Sequence, residues 1–122
     1  GLSVPNRIQP KLLYEVLSAV RSEPYFRDFV RALPIAGTSG TLASRMSYPQ
    51  TKNKVYAKTG TVDGVANLAG YYNPTQVYDF EKMDVSQLQP FVIFTQSGLS
   101  SDIVRTYEDL ALLRYAKDQK KK

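Results

Sequence analysis

Lys58, Thr59, Gly60 and Thr61 stand together in KVYAKTGTVDGVANLAGYY, residues 54–72, a stretch patterned as two strands about a turn. Side chains alternate along a strand. Lys58 and Gly60 therefore share one face with Tyr56, and Thr59 and Thr61 share the other with Val55 and Ala57. A lysine supplies a point positive charge and threonine hydroxyls supply hydrogen bonds, a combination that suits a substrate carboxylate. A glycine within a strand weakens it and often marks the close approach of a ligand or another backbone. An extended peptide could pair along such an edge by strand addition. The plainer reading is an exposed Lys beside a turn-proximal Gly, because Lys-Thr-Gly alone recurs by chance in many chains.

The other side chains narrow the chemistry. The 122 residues contain no Cys and no His, which excludes disulfides, zinc–thiolate sites and a Ser-His-Asp triad within the chain. Proton transfer must fall to Lys, Asp, Glu or Tyr. Net charge is +5, of which Lys120, Lys121 and Lys122 supply three, so the body is only +2. A basic tail can touch anionic polymers or lipid headgroups, but a solvated terminus over residues 118–122 is the simpler expectation. A basic, Tyr-rich α+β domain could also hold nucleic acid by charge and stacking. The concentration of charge in the tail and the lack of an RNA-binding signature argue against a nucleic-acid partner. No apolar run approaches the roughly 20 residues of a membrane span. The opening GLSVPNRIQP has no initiator Met and no charged leader and reads as the interior of a longer chain.

The elements that must position residues 58–61 follow from periodicity. Pro10 suits a first helical turn, and Leu12, Leu13, Val16, Leu17 and Val20 then recur at helical spacing to about Arg21. Ser22 and Pro24 restart a short helix with Phe26, Phe29, Val30 and Leu33 on one side, stopped by Pro34. Residues 35–53 read as loop, punctuated by Gly37, Gly40 and Pro49. Strands are expected at about Lys54–Val62 and Val65–Tyr72, joined by an Asp63-Gly64 turn. A long polar connection over residues 73–89 has room for a helical turn of its own. The apolar run in PFVIFTQSG predicts a third strand buried on both faces. A final helix begins at Ser100 or Ser101, carries Asp102 near its start and Arg114 and Lys117 near its end, and offers Ile103, Tyr107, Leu110 and Leu113 as its buried stripe. The sum is an α+β fold: an antiparallel sheet of about three strands packed by helices.

Several other residues have structural explanations. Arg45 is expected to pair with a carboxylate rather than line a groove. Ser39 and Thr41 either face a ligand or cap turns, with turn duty the default. Tyr71 and Tyr72 suit core and edge packing. Asn67 either bridges neighbouring backbone or is exposed. Asp63 is explained by its turn, and Glu15, Glu23, Asp102, Glu108 and Asp109 by helix surfaces.

The neighbourhood of Lys-Thr-Gly is more specific than the triplet. GLSVPN before the first helix, LPIAGTSGTLASR before the first strand, VYAKTGTVDGVANLAGYY across the hairpin and FVIFTQSGLS on the last strand resemble the class C low-molecular-mass penicillin-binding proteins. These are the D-alanyl-D-alanine carboxypeptidase/endopeptidases of the penicillin-binding protein 4 type, in which Lys-Thr-Gly is one of three active-site motifs. The likeness runs through nearly the whole chain in order. It is specific around residues 33–45 and 54–72 and loose over 73–90 and beyond 101.

The resemblance implies a serine β-lactamase/DD-peptidase-like domain, of which residues 1–122 would be the C-terminal part. It implies serine acyl transfer on peptidoglycan stem peptides, trapped by β-lactams, with no metal or organic cofactor. By the same resemblance, Lys58 positions the terminal carboxylate and tunes neighbouring serines, and Thr59 hydrogen-bonds that carboxylate. Gly60 leaves room for the ligand, and the N–H of Thr61 is an oxyanion donor. The implied location is the bacterial cell envelope, periplasmic in a Gram-negative organism.

The departure from the family pattern lies in the nucleophile. No serine has a lysine three residues on: Ser3 meets Asn6, Ser18 meets Arg21, Ser22 meets Tyr25, Ser44 meets Ser47, and Ser47 meets Gln50. Thr51 and Lys54 have the spacing but run into a strand instead of opening a helix, and no Ser-x-Asn triplet exists. The expectation is therefore a segment holding the Lys-Thr-Gly wall without the nucleophile wall, inactive alone. A cloned, nicked or naturally truncated chain would each fit. A non-catalytic peptidoglycan- or protein-binding module is the alternative. The final helix and third strand are expected to present apolar surface that the N-terminal part of the domain covers, and a dimer through an exposed sheet edge also fits.

Overall fold

The computed structural model describes residues 10–62, 65–75, 80–96 and 101–120. Helix α1 (Pro10–Ala19) runs into a 3-10 turn at Val20–Ser22, and α2 (Phe26–Arg31) follows. Strands β1 (Val55–Val62), β2 (Val65–Tyr72) and β3 (Gln89–Gln96) form one antiparallel sheet in the order β1-β2-β3, and α3 (Ser101–Lys120) closes the chain. The α+β expectation with three strands stands. The Asp63-Gly64 turn, the GLSVPN segment and the Ser100 cap position lie outside the described residues, as do Lys121 and Lys122. Helix α3 continues through Lys120, so residues 118–120 of the expected tail belong to the helix.

Strand alternation divides the core in two. Val55 and Ala57 of β1, with Leu68 and Tyr72 of β2, pack under α3 through Leu112 and Ala116, with Leu42 and Met46 closing one side. Tyr56, Ala69 and Tyr71 face the opposite way, against Leu17 of α1 and Phe26 and Val30 of α2. Tyr71 anchors this second layer. Its hydroxyl donates to the Leu17 carbonyl at 2.7 Å, and its ring meets Phe26 edge-on at 5.0 Å. The β1–β2 pair sits close at one point, because a Cβ on Gly70 would lie 2.0 Å from the Tyr56 carbonyl oxygen and 2.6 Å from the Ala57 Cα. No side chain fits there without parting the two strands.

Three expectations change. Residues 73–89 are more than a polar connection: short 3-10 turns at Phe80–Lys82 and Val85–Gln87 bring Met83 and Leu88 into the α1/α2 layer. Arg27 holds this segment down, donating to the Phe80 carbonyl at 3.0 Å and the Met83 carbonyl at 2.8 Å, and Arg31 pairs with Glu81. Strand β3 is not buried on both faces. Phe91, Val92, Ile93 and Phe94 are only half-buried, because β3 is an edge strand whose outer side has no neighbouring strand among the described residues.

The third change concerns α3, whose buried stripe is Val104, Glu108, Leu112, Leu113 and Ala116. Of the expected stripe only Leu113 is covered, whereas Ile103, Tyr107 and Leu110 are 53%, 70% and 51% exposed. Both stripes have helical spacing. The one containing a glutamate wins because Arg45 meets that glutamate from below, and because Ala116 lets the helix approach the sheet closely. Glu108 is thus buried, at 1% exposure, rather than on a helix surface.

Burial raises the pKa of Tyr56, Tyr71 and Tyr72 above the ordinary tyrosine value. Tyrosines in the unfolded chain ionise near pH 10, while the folded chain keeps these protons to higher pH. Stability is fully present below about pH 10 and falls as pH rises beyond it. Urea midpoints followed from about pH 9 to about pH 11, beside phenolate absorbance, are expected to drop once the unfolded tyrosines would ionise. Tyr71→Phe is expected to flatten that drop, and an unchanged slope would contradict the assignment.

Candidate functional site at the open edge of β1

Among the described residues, only part of the β1 edge is covered. Ile35 forms an antiparallel bridge with Tyr56, the Ala36 N–H donates to the Val55 carbonyl at 2.9 Å, and the Ala57 N–H donates to the Pro34 carbonyl at 3.0 Å. The Pro34–Ala36 segment is thus a stub of a fourth strand, and it stops at Ala57. In an antiparallel strand, main-chain groups of alternate residues point to the same edge. Thr59 and Thr61 have the parity of Val55 and Ala57, so their N–H and C=O groups turn toward the open edge. Lys58 and Gly60 pair inward with Ala69 and Asn67.

The Lys58 and Thr59 side chains lie at that edge. The exposed Lys58 ammonium donates to the Thr59 carbonyl at 3.3 Å, which brings the positive charge round to the unpaired side. The Thr59 hydroxyl donates to the Thr41 hydroxyl at 3.4 Å. Gly60 faces Asn67, and a Cβ at Gly60 would lie 3.0 Å from both atoms of that amide. The glycine therefore accommodates a cross-strand neighbour. Thr61 lies on β1 at the register position opposite Ala66.

The loop beside the edge is built by two left-handed glycines. Gly37 (φ 66°) and Gly40 (φ 61°) fold residues 37–42 back on the stub, and a Cβ on Gly40 would meet Pro34 Cβ at 2.9 Å. A 3-10 turn at Gly40–Leu42 then sets Leu42 into the core and leaves Thr41 beside Thr59. Ser39 does turn duty, accepting from the Ile35 N–H at 3.1 Å. Arg45 is structural, as expected: it grips Asp109 through two nitrogens, at 2.6 and 3.1 Å, and stands 3.7 Å from Glu108. The Thr51 hydroxyl is committed to the Met46 carbonyl at 2.8 Å, so the Thr51-to-Lys54 spacing is part of a turn. Sequence reasoning singled out residues 58–61 but missed the Thr41–Thr59 contact. The glycines signalled a turn without saying where it would land.

The sheet lies between helices, with a partly covered motif strand at its edge. A profile of the D-Ala-D-Ala carboxypeptidase 3 (S13) family matches residues 1–108. The chain belongs to that family. It is 40% identical over 74 residues to the D-alanyl-D-alanine carboxypeptidase DacB of Haemophilus influenzae, covering 58% of this chain and 15% of that protein. It is 38% identical over 76 residues to the D-alanyl-D-alanine carboxypeptidase of Actinomadura sp. strain R39, covering 58% and 14%. It is 35% identical over 116 residues to penicillin-sensitive carboxypeptidase A of Dictyostelium discoideum, covering 93% and 22%. The crystal structure of Haemophilus influenzae penicillin-binding protein 4 complexed with a novel β-lactam superimposes with a TM-score of 0.68 at 25% identity, over 94% of this chain and 27% of that one. The chain thus spans about a seventh to a fifth of the curated relatives it matches. No helix among the described residues is long and apolar enough to cross a membrane.

Proposed function

We propose that residues 1–122 carry the substrate-aligning wall of a serine D-alanyl-D-alanine carboxypeptidase or endopeptidase, with the nucleophile supplied by polypeptide outside these residues. The observation that carries this reading is the open edge of β1, where the Thr59 and Thr61 backbone groups stand unpaired by the stub and the Lys58 ammonium and Thr59 hydroxyl lie alongside. The substrate is a peptidoglycan stem peptide ending in D-Ala-D-Ala, and β-lactams acylate the same site. The setting is the cell envelope, periplasmic in a Gram-negative cell.

An extended peptide adds to the edge of β1 as a strand. Running antiparallel, as the stub does, it brings its C-terminal carboxylate to the Thr59 end and its penultimate carbonyl to the Thr61 end. Lys58 and Thr59 hold the carboxylate by charge-assisted hydrogen bonds. The Thr61 N–H donates to the oxygen on which negative charge develops when serine attacks, a contribution of about 3 kcal/mol to transition-state stabilisation. The serine oxygen forms the new ester bond, the bond to the terminal D-Ala nitrogen breaks, and that amine leaves with a proton. Water then hydrolyses the acyl-enzyme.

The test is labelling by a fluorescent penicillin. The gene product containing these residues is expected to give a band that survives denaturation, and the isolated 122-residue chain is expected to give none. Failure of the gene product to label would overturn the peptidase reading. A labelled isolated chain would overturn the placement of the nucleophile.

A further inference from the structure

Thr41 lies outside the Lys-Thr-Gly triplet, yet it stands at the point where an added strand must end. The stub runs antiparallel to β1 and occupies the edge as far as Ala57. A peptide continuing along the same edge in the same direction therefore meets Pro34 with its C-terminus. Gly40 packs on Pro34, and Thr41 follows it, exposed, with its hydroxyl 3.4 Å from that of Thr59. The Lys58 ammonium, two threonine hydroxyls and Pro34 thus stand at the end of the open edge.

We infer that Thr41 is a specificity-determining residue whose hydroxyl, paired with that of Thr59, recognises the free C-terminal carboxylate of the peptide. The inference rests on the peptidase reading above. A carboxylate has two oxygens and about four acceptor positions, and with one ammonium proton on the Thr59 carbonyl, Lys58 and Thr59 have about three donors left for it. A second hydroxyl beside the first completes the site and excludes a chain that continues past its C-terminus, because Pro34 and Gly40 block the way. Thr41 thereby favours substrates ending in a free acid over internal linkages and amidated ends.

The experiment uses the gene product containing these residues, with a free-acid D-Ala-D-Ala peptide and its C-terminal amide as parallel substrates. Thr41→Val keeps the shape and removes the hydroxyl. It is expected to raise KM for the free acid about tenfold with kcat little changed, and to leave the amide unaffected. Thr41→Ser is expected to restore the wild-type preference. Equal losses on acid and amide would show a purely structural role and overturn the inference, as would an unchanged KM for the acid. Wild-type protein that neither labels with penicillin nor cleaves the free acid would overturn the peptidase reading itself, and this assignment with it. Normal wild-type activity with an indifferent Thr41→Val variant would overturn the assignment alone.

Discussion

Lys58→Ala in the gene product is expected to slow acylation by fluorescent penicillin about a hundredfold, while urea unfolding stays within about 0.5 kcal/mol of wild type. The two effects separate because Lys58 is exposed and its ammonium donates to the Thr59 carbonyl, at 3.3 Å. Little packing is lost with it. Its charge, by contrast, is held at the open edge where the carboxylate of the substrate would lie. A hydrogen bond between charged groups is worth about 1.5–3 kcal/mol, and any tuning of the neighbouring serine adds to that loss. Because the site is exposed, the wild-type rate is also expected to fall with salt, and the Lys58→Ala rate to be flatter. Acylation kinetics at two ionic strengths measure both quantities. An Ala variant that acylates at the wild-type rate would remove Lys58 from the site.

Arg45→Met is expected to lower the unfolding free energy by about 3–5 kcal/mol, the usual consequence of removing one member of a buried ion pair. Arg45 is largely covered and lies between Asp109, at 2.6 Å, and the buried Glu108, at 3.7 Å. Its removal leaves two adjacent carboxylates under α3, one of them shut away from water. The double variant Arg45→Met/Glu108→Gln is expected to recover most of the loss, because the buried negative charge goes with the positive one. Denaturant midpoints of the two variants and of Glu108→Gln decide this. If Arg45→Met unfolds like wild type, the pair is a surface contact of little weight. The pair also bears on the site, because Arg45 ties the end of the loop that carries Thr41 to α3.

Local pattern was enough for the elements. Alternation and the Asp63-Gly64 signal placed β2 at Val65–Tyr72, where it is found. β1 begins one residue later than expected, at Val55. Pro34 marked the end of the second helix, and the core side of that helix was correct for Phe26 and Val30. Pattern failed where two solutions have the same period. On α3, the stripes through Ile103 and through Val104 are equally helical, and a reading that keeps glutamate out of the core selects the wrong one. The residue that reverses the choice, Arg45, lies 63 positions before Glu108 in the chain. The half-burial of β3 escaped for a similar reason, since an apolar run does not say which strand stands at the edge.

The sequence by itself determined the α+β class, the strand that carries Lys58 to Thr61, the likeness to the penicillin-binding proteins and the lack of a Ser-x-x-Lys nucleophile within these residues. These rest on residue types and short spacings, which survive in one dimension. Tertiary structure alone decided that the Pro34–Ala36 stub covers the edge of β1 only to Ala57 and that Thr41 lands beside Thr59. It also decided that Glu108 goes inside and Tyr107 outside. Each of these depends on contacts between segments distant in the chain, where two left-handed glycines and one buried charge pair select among arrangements that local propensity leaves equal in energy.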